Sequence, residues 1–239
     1  MPTSKIVLFD IPSRKPLHCW SANVWKTRML LNIKGLDYET EWVEYPEIKP
    51  RLQYHFPDRK DFTVPTIKMP DDTYIMDSWT IAQEIERLHP SPPLNLDSPI
   101  LPRYLSLHGK AFMEIMPNYI LEAPRRLLND INHAYWHHTR SQWVGKPLDQ
   151  FVQERGGEKA FRAGAPYLQQ ITALLKENGG PFFMGQTISY TDFVHTGFLV
   201  MFRLLGDDLF KPLLDATGDP ETHLRFLEAV KPYIDRDNY

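Results

Sequence analysis

His89-Pro90-Ser91-Pro92-Pro93-Leu94 divides the chain. Prolines fix φ and remove amide donors, so no helix runs through this stretch, and its composition is that of a linker. Upstream, Ile6-Val7-Leu8-Phe9 has strand length, and Asp10 to Pro16 is turn-rich. From Ala22 the pattern turns helical, with Trp25, Met29 and Ile33 four apart and a stop at Lys34-Gly35. Tyr38 to Tyr45 alternates as a strand closed by Pro46, and Glu47 to His55 is a short helix candidate broken by Pro50. Pro65 to Met69 and Tyr74 to Met76 flank Pro70-Asp71-Asp72-Thr73 as an antiparallel hairpin. Ser78 then caps a helix bearing Ile81, Ile85 and Leu88 on one face. Downstream, Leu101, Leu105, Phe112, Ile115 and Tyr119, then Phe161, Leu168, Ile171 and Leu175, then Phe193, Val200 and Leu204 keep a helical period throughout. A β-α-β-α-β-β-α domain over 1–89, a linker over 90–97 and an all-helical domain over 98–239 follow.

Composition bounds what such a chain can be. With 239 residues, 42% apolar and 24% charged, it buries a real core and is neither disordered nor fibrous. Its 27 basic and 30 acidic side chains give a net charge of -3, without the basic footprint of a nucleic-acid or anionic-membrane partner. The single cysteine, Cys19, rules out an internal disulfide and a multi-cysteine zinc site and points to the cytosol. The opening Met1-Pro2-Thr3-Ser4-Lys5 runs into a strand rather than an apolar signal region, and no stretch has the length of a membrane span. The 21 prolines and 6 tryptophans indicate ordered loops and an aromatic-rich interior or pocket.

Four motifs sit on this frame: Trp20-Ser21-Ala22-Asn23-Val24-Trp25-Lys26-Thr27-Arg28, Thr63-Val64-Pro65, Asp77-Ser78 and Ser189-Tyr190-Thr191-Asp192. Together with the element order they resemble the glutathione transferases over nearly the whole chain. The string from Ser21 to Arg28, with Leu31 to Leu36 and Trp42 to Ile48, is most similar to the fungal FuA class and the related bacterial β-etherases. The resemblance implies a thioredoxin-like glutathione-binding domain ahead of the helical acceptor domain, glutathione as cosubstrate, hydrophobic small molecules as acceptors, and a homodimer.

Ser21 lies where a helix begins, and unpaired amides and the helix dipole favour a negative charge there. The resemblance implies that Ser21 donates to the glutathione sulfur, with Asn23 assisting it or polarising the electrophile. From local sequence alone, a plain N-cap explains Ser21 as well. A cis bond at Val64-Pro65 would turn the backbone outward so that Val64 pairs with the cysteinyl unit of the tripeptide. Asp77 and Ser78 would receive its γ-glutamyl carboxylate and amino group, although an ordinary capped helix also accounts for them, and Asp77 stands where many members carry glutamate. Lys49 would approach the glycyl carboxylate. Ser189 and Asp192 fit a reciprocal cap with Ile188 and Phe193 as its staple, which is a folding signal rather than a catalytic one.

Several features invite other readings. Without a Cys-x-x-Cys pair, Cys19 is a small buried residue before it is a partner for a mixed disulfide. His133 and His137 have metal-ligand spacing, yet lack the accompanying acidic and cysteine ligands, so no metal is assigned. The basic residues Lys49, Arg51, Arg59 and Lys60 belong to a solvated loop, and on the resemblance the stretch from Arg51 to Thr63 would form a wall over the glutathione site. Of Tyr104, Phe112, Tyr119, Tyr135, Trp136 and Trp143, most are core and some line the acceptor pocket. The expected activity is attack of a serine-stabilised thiolate on a bulky aromatic electrophile. Glutathione-dependent β-aryl ether cleavage and noncatalytic carriage of aromatic metabolites are the alternatives.

Overall fold

The computed structural model describes residues 5–237. Met1 to Ser4, the start of the opening read above for a targeting signal, lie outside the described residues. The first half contains β1 (Ile6–Asp10), α1 (Ala22–Ile33), β2 (Tyr38–Trp42), α2 (Tyr45–Leu52), a 3-10 turn (Gln53–His55), β3 (Thr66–Lys68), β4 (Tyr74–Met76) and α3 (Ser78–Leu88). The sheet order is β2-β1-β3-β4, with β1 parallel to β2 and antiparallel to β3. Leu8 faces Ile67, and Ile67 faces Ile75, so one apolar row crosses the sheet.

Two boundaries differ from the sequence reading, and the break expected at Pro50 is absent, since α2 runs through it to Leu52. The second strand stops at Trp42, and Tyr45 opens α2 instead of ending a strand. Here Pro46 sits in the first helical turn, where its fixed φ suits the helix, and Glu44 and Glu47 form a capping box. The Tyr45 amide donates to Asn132 Oδ1 at 2.8 Å, which ties this helix start to the other half of the molecule. At α3 the cap is Asp77, not Ser78: its Oδ1 accepts from the amides of Trp79 at 3.0 Å and Thr80 at 3.1 Å.

Residues 89–99 carry no helix or strand, and then come α4 (Ile100–Ile120), α5 (Glu122–Arg126), a 3-10 turn (Asp130–Asn132), α6 (His133–Val144), α7 (Leu148–Arg155), α8 (Glu158–Lys176), α9 (Tyr190–Leu205), α10 (Asp207–Ala216) and α11 (Pro220–Ile234). None of the described helices is long and apolar enough to cross a membrane. In α9 every residue except Arg203 and Leu204 is buried, which makes it the axis of the helical half. The expected capping box starts it: Asp192 accepts from the Ser189 amide and hydroxyl, both at 2.8 Å, and from the Phe183 amide at 3.0 Å.

Two buried polar systems fix the packing. Under the sheet, the Arg28 guanidinium of α1 meets the Asp10 carboxylate at 2.8 Å, both side chains fully buried, with the Tyr38 and Trp42 rings each 5.6 Å away. In the helical half, Tyr104 Oη lies 3.0 Å from His195 Nδ1, His195 Nε2 lies 3.0 Å from His223 Nδ1, and His223 Nε2 lies 2.8 Å from Thr172 Oγ1. Thr172 donates its single hydroxyl hydrogen to the carbonyls of Leu168 and Thr217, so it accepts from His223. The donors therefore run one way from the Tyr104 phenol through two neutral imidazoles. Burial fits this, holding the Tyr104 phenol well above its usual range and both histidines below theirs.

Candidate functional site

A cleft of about 390 Å³ lies between the two halves. The sheet half contributes Ile11, Ser21, Asn23, Lys26, Tyr45, Ile48, Phe62, Thr63, Val64, Pro65, Asp77 and Ser78, and α6 contributes Tyr135 and Arg140. A wider hollow of about 600 Å³ over α8 and α10 contains none of the candidate site residues read from the sequence.

Ser21 occupies the N-cap position of α1 with extended backbone, φ -70° and ψ 116°, and its carbonyl accepts the first helical bond from Trp25. Its hydroxyl makes no capping hydrogen bond, so the plain N-cap explanation does not describe this serine. The side chain is only 9% exposed and borders the cleft. The approach to it is pinned from the helical side. Arg14 donates its amide to the Leu127 carbonyl at 2.6 Å and its guanidinium to the Leu128 carbonyl at 2.7 Å. Behind α1, Gly197 of α9 lies against Ala22.

The Val64–Pro65 bond is cis. The Val64 N–H and C=O take no part in the backbone pairing of the described residues, so both stand ready for a ligand backbone. Asp77 holds φ 84°, a left-handed value for a residue with a Cβ, and its carboxylate caps α3. Ser78 is buried beside Tyr190 at the start of the same helix. Burial lowers the Lys26 ammonium from its usual range, and the facing Asp77 carboxylate opposes that shift.

The structure brings Ser21, Asn23, Val64, Pro65, Asp77 and Ser78 together and leaves Lys49 out. Lys49 is exposed and lines a separate surface hollow with Tyr54, Phe56, Arg59 and Lys60. Within the loop of residues 51–63, Phe62 and Thr63 reach the cleft. Of the six aromatics, Tyr135 lines it, Tyr104 and Trp136 are core, and Trp143 is exposed. Cys19 is fully buried beneath the sheet beside Asp10 and Arg28, and burial pushes its thiol well above the usual range. Among the described residues no cluster could hold a metal ion.

Sequence reasoning missed Tyr45, Lys26 and Arg140. The Tyr45 and Tyr135 rings stack at 5.7 Å with 16° between their planes, and burial pushes the Tyr45 phenol up to about 12. Arg140 stands four residues after Trp136 on α6, a helix-neighbour spacing that was the available signal.

Family models for the glutathione S-transferase N-terminal domain and the glutathione S-transferase C-terminal domain match residues 20–88 and 104–233. The chain belongs to the glutathione S-transferase family. A glutathione S-transferase-like protein, ustS, of Aspergillus flavus is 28% identical over 89% of this transferase and 85% of its own length. Glutathione transferase GSTFuA3 of Phanerochaete chrysosporium superposes with a TM-score of 0.80 at 27% identity, covering 96% of this chain and 97% of that one. A glutathione S-transferase of Ceriporiopsis subvermispora, solved in complex with glutathione, gives 0.78 at 27% identity, with coverage of 96% and 97%. Glutathione is the cosubstrate of this family, and the cleft of this transferase has the polar groups a tripeptide needs: an uncommitted hydroxyl, an unpaired backbone edge and a helix start.

Proposed function

We propose that this protein is a serine-type glutathione transferase whose Ser21 stabilises the glutathione thiolate for attack on a bulky aromatic electrophile. The supporting observation is the Ser21 hydroxyl, free of a capping bond at the start of α1 and bordering the cleft. A free thiol titrates near 8.5, and lowering it to about 6.5 takes roughly 2.7 kcal/mol of preference for the thiolate. A helix dipole supplies about 0.3 to 1 kcal/mol, and a hydrogen bond to a charged acceptor about 1.5 to 3. The hydroxyl and α1 together reach the required range. Asn23, exposed at the same edge, assists the sulfur or polarises the electrophile. Val64 pairs with the cysteinyl backbone, and Ser78 with the α3 amides takes the γ-glutamyl carboxylate. Asp77, with one oxygen engaged in the cap, offers the other to the amino group. The thiolate forms a carbon–sulfur bond as the leaving group departs with its electron pair. A phenolate leaving group makes the same chemistry an ether cleavage.

In this reading residues 1–89 bind glutathione, 90–97 link, and 98–239 hold the acceptor, in a cytosolic homodimer. Light scattering of the purified chain tests the dimer. The catalytic test is turnover of an electrophile panel, including a β-aryl ether reporter, by wild type and Ser21→Ala, with the ultraviolet absorbance of bound thiolate read alongside. A roughly 10- to 100-fold fall in turnover with loss of thiolate absorbance is expected. Unchanged absorbance and turnover in the variant would remove Ser21 from the mechanism. Tight binding of aromatic ligands by a wild type that turns over nothing would favour a carrier.

A further inference from the structure

We infer that Arg140 selects acceptors that carry an anionic group on an aromatic ring, an inference that rests on reading the cleft as the glutathione and acceptor site. Arg140 is the cation that the helical half contributes to the cleft, and it is half-buried. Its guanidinium carbon lies 4.1 Å from the centre of the Trp136 ring and 5.0 Å from that of Tyr45, and one Nη donates to Thr139 Oγ1 at 2.8 Å. The rings, the threonine and the Tyr45 hydroxyl, to which Arg140 also donates, hold a planar five-donor fork in place without supplying it an anion.

No carboxylate among the described residues pairs with Arg140. The contrast with other buried or half-buried arginines is direct: Arg28 has Asp10, Arg51 has Glu41 and Arg126 has Asp208. A guanidinium drawn partly out of water on two aromatic faces, without a counter-ion of its own, is a site for an anion. The other cation of the cleft, Lys26, faces Asp77. Next to Arg140, the Tyr135 ring, stacked on Tyr45 and itself exposed, lines the cleft as a flat wall against which a ligand ring can lie. Flat wall and unpaired fork together fit an aryl carboxylate or a similar aryl anion. They fit poorly a purely apolar electrophile, which would strand the guanidinium without water or partner.

The test uses two ready-made conjugates, S-(2,6-dinitrophenyl)glutathione and its 4-carboxy analogue, titrated calorimetrically into wild type, Arg140→Gln and Arg140→Lys. Wild type is expected to bind the carboxylated conjugate about 10-fold or more tightly than the neutral one. In Arg140→Gln the ratio should fall to near one, and Arg140→Lys should restore part of it, since an ammonium keeps the charge but not the fork. A ratio near one in wild type, or one that survives in Arg140→Gln, overturns the inference. So does an equal loss for both conjugates and for free glutathione, which would assign Arg140 to a carboxylate of the tripeptide. Because the conjugates bind without reacting, failure of the Ser21 test leaves this result standing. Failure of wild type to bind glutathione or either conjugate would remove both readings together.

Discussion

Gly197 of α9 and Ala22 of α1 meet backbone to backbone: a Cβ at position 197 would lie 2.4 Å from the Ala22 carbonyl oxygen. That carbonyl belongs to the first residue of α1, immediately after Ser21. The absence of a side chain at 197 thus sets how closely the axis of the helical half approaches the start of the candidate catalytic helix. Gly197→Ala should cost about 1–3 kcal/mol of stability by overpacking and lower turnover further by displacing Ser21. Urea unfolding and kcat of the same preparation check this; an alanine variant as stable and active as wild type would show that the contact can relax.

The buried Arg28–Asp10 pair predicts an asymmetry. Removing one partner strands the other without water, at a cost of about 3–5 kcal/mol. Arg28→Met alone should therefore destabilise more than Arg28→Met with Asp10→Asn. Denaturant midpoints of the single and double variants decide it, and a double variant weaker than the single would contradict the electrostatic account.

The His195–His223 pair predicts sensitivity to acid. An unfolded histidine takes up its proton near pH 6.5, whereas burial holds His223 at about 4 and His195 well below its ordinary value. Between those limits the unfolded chain binds more protons, so each histidine leaves stability intact above pH 6.5 and erodes it by about 1.4 kcal/mol per pH unit as pH falls toward 4. Asp192, which burial pushes up to about 6, acts in the opposite sense over the lower part of that range. His223→Gln should accordingly flatten the loss seen in wild type. Unfolding free energies at about pH 7, 6 and 5 measure the difference in slope, and parallel slopes would refute the assignment.

Cys19 should behave as part of the core. Its thiol is fully buried and pushed well above its usual range, so alkylation under native conditions should be far slower than for a free cysteine. Labelling should rise only through the unfolding transition. Rapid formation of a mixed disulfide with glutathione in the native state would contradict the burial.

Turn chemistry and periodicity made most of the fold legible. The hairpin across Pro70 to Thr73, the α1 start and the Ser189–Asp192 box all rest on interactions within a few residues of one another. The second strand was extended to Tyr45 because aromatic and charged residues continue to alternate there. The Glu44–Glu47 cap and a bond to Asn132, far along the chain, decide otherwise. Ser78 and Asp77 are both competent caps, and only the left-handed backbone at Asp77 settles which one acts. In the cleft, Ser21, Val64 and Ser78 were found because each belongs to a local motif. For Arg140 the spacing from Trp136 on α6 is legible, but the ring of Tyr45 on α2 and the missing counter-ion, which give it its character, leave no local trace.

Arg14 has the most far-reaching geometry for its position. It belongs to the loop leading from β1 into α1, yet its amide and guanidinium grip the carbonyls of Leu127 and Leu128 beyond α5. Val64 and Ser78 take their coordinates from the sheet, while the run-up to Ser21 takes its coordinates from the helical half. The cleft is thus gauged against two frames at once. A small rotation between the halves would change the gap between Ser21 and the sheet-borne wall before it changed the shape of either half, so the cleft's width is set by how the halves are fastened rather than by either one alone.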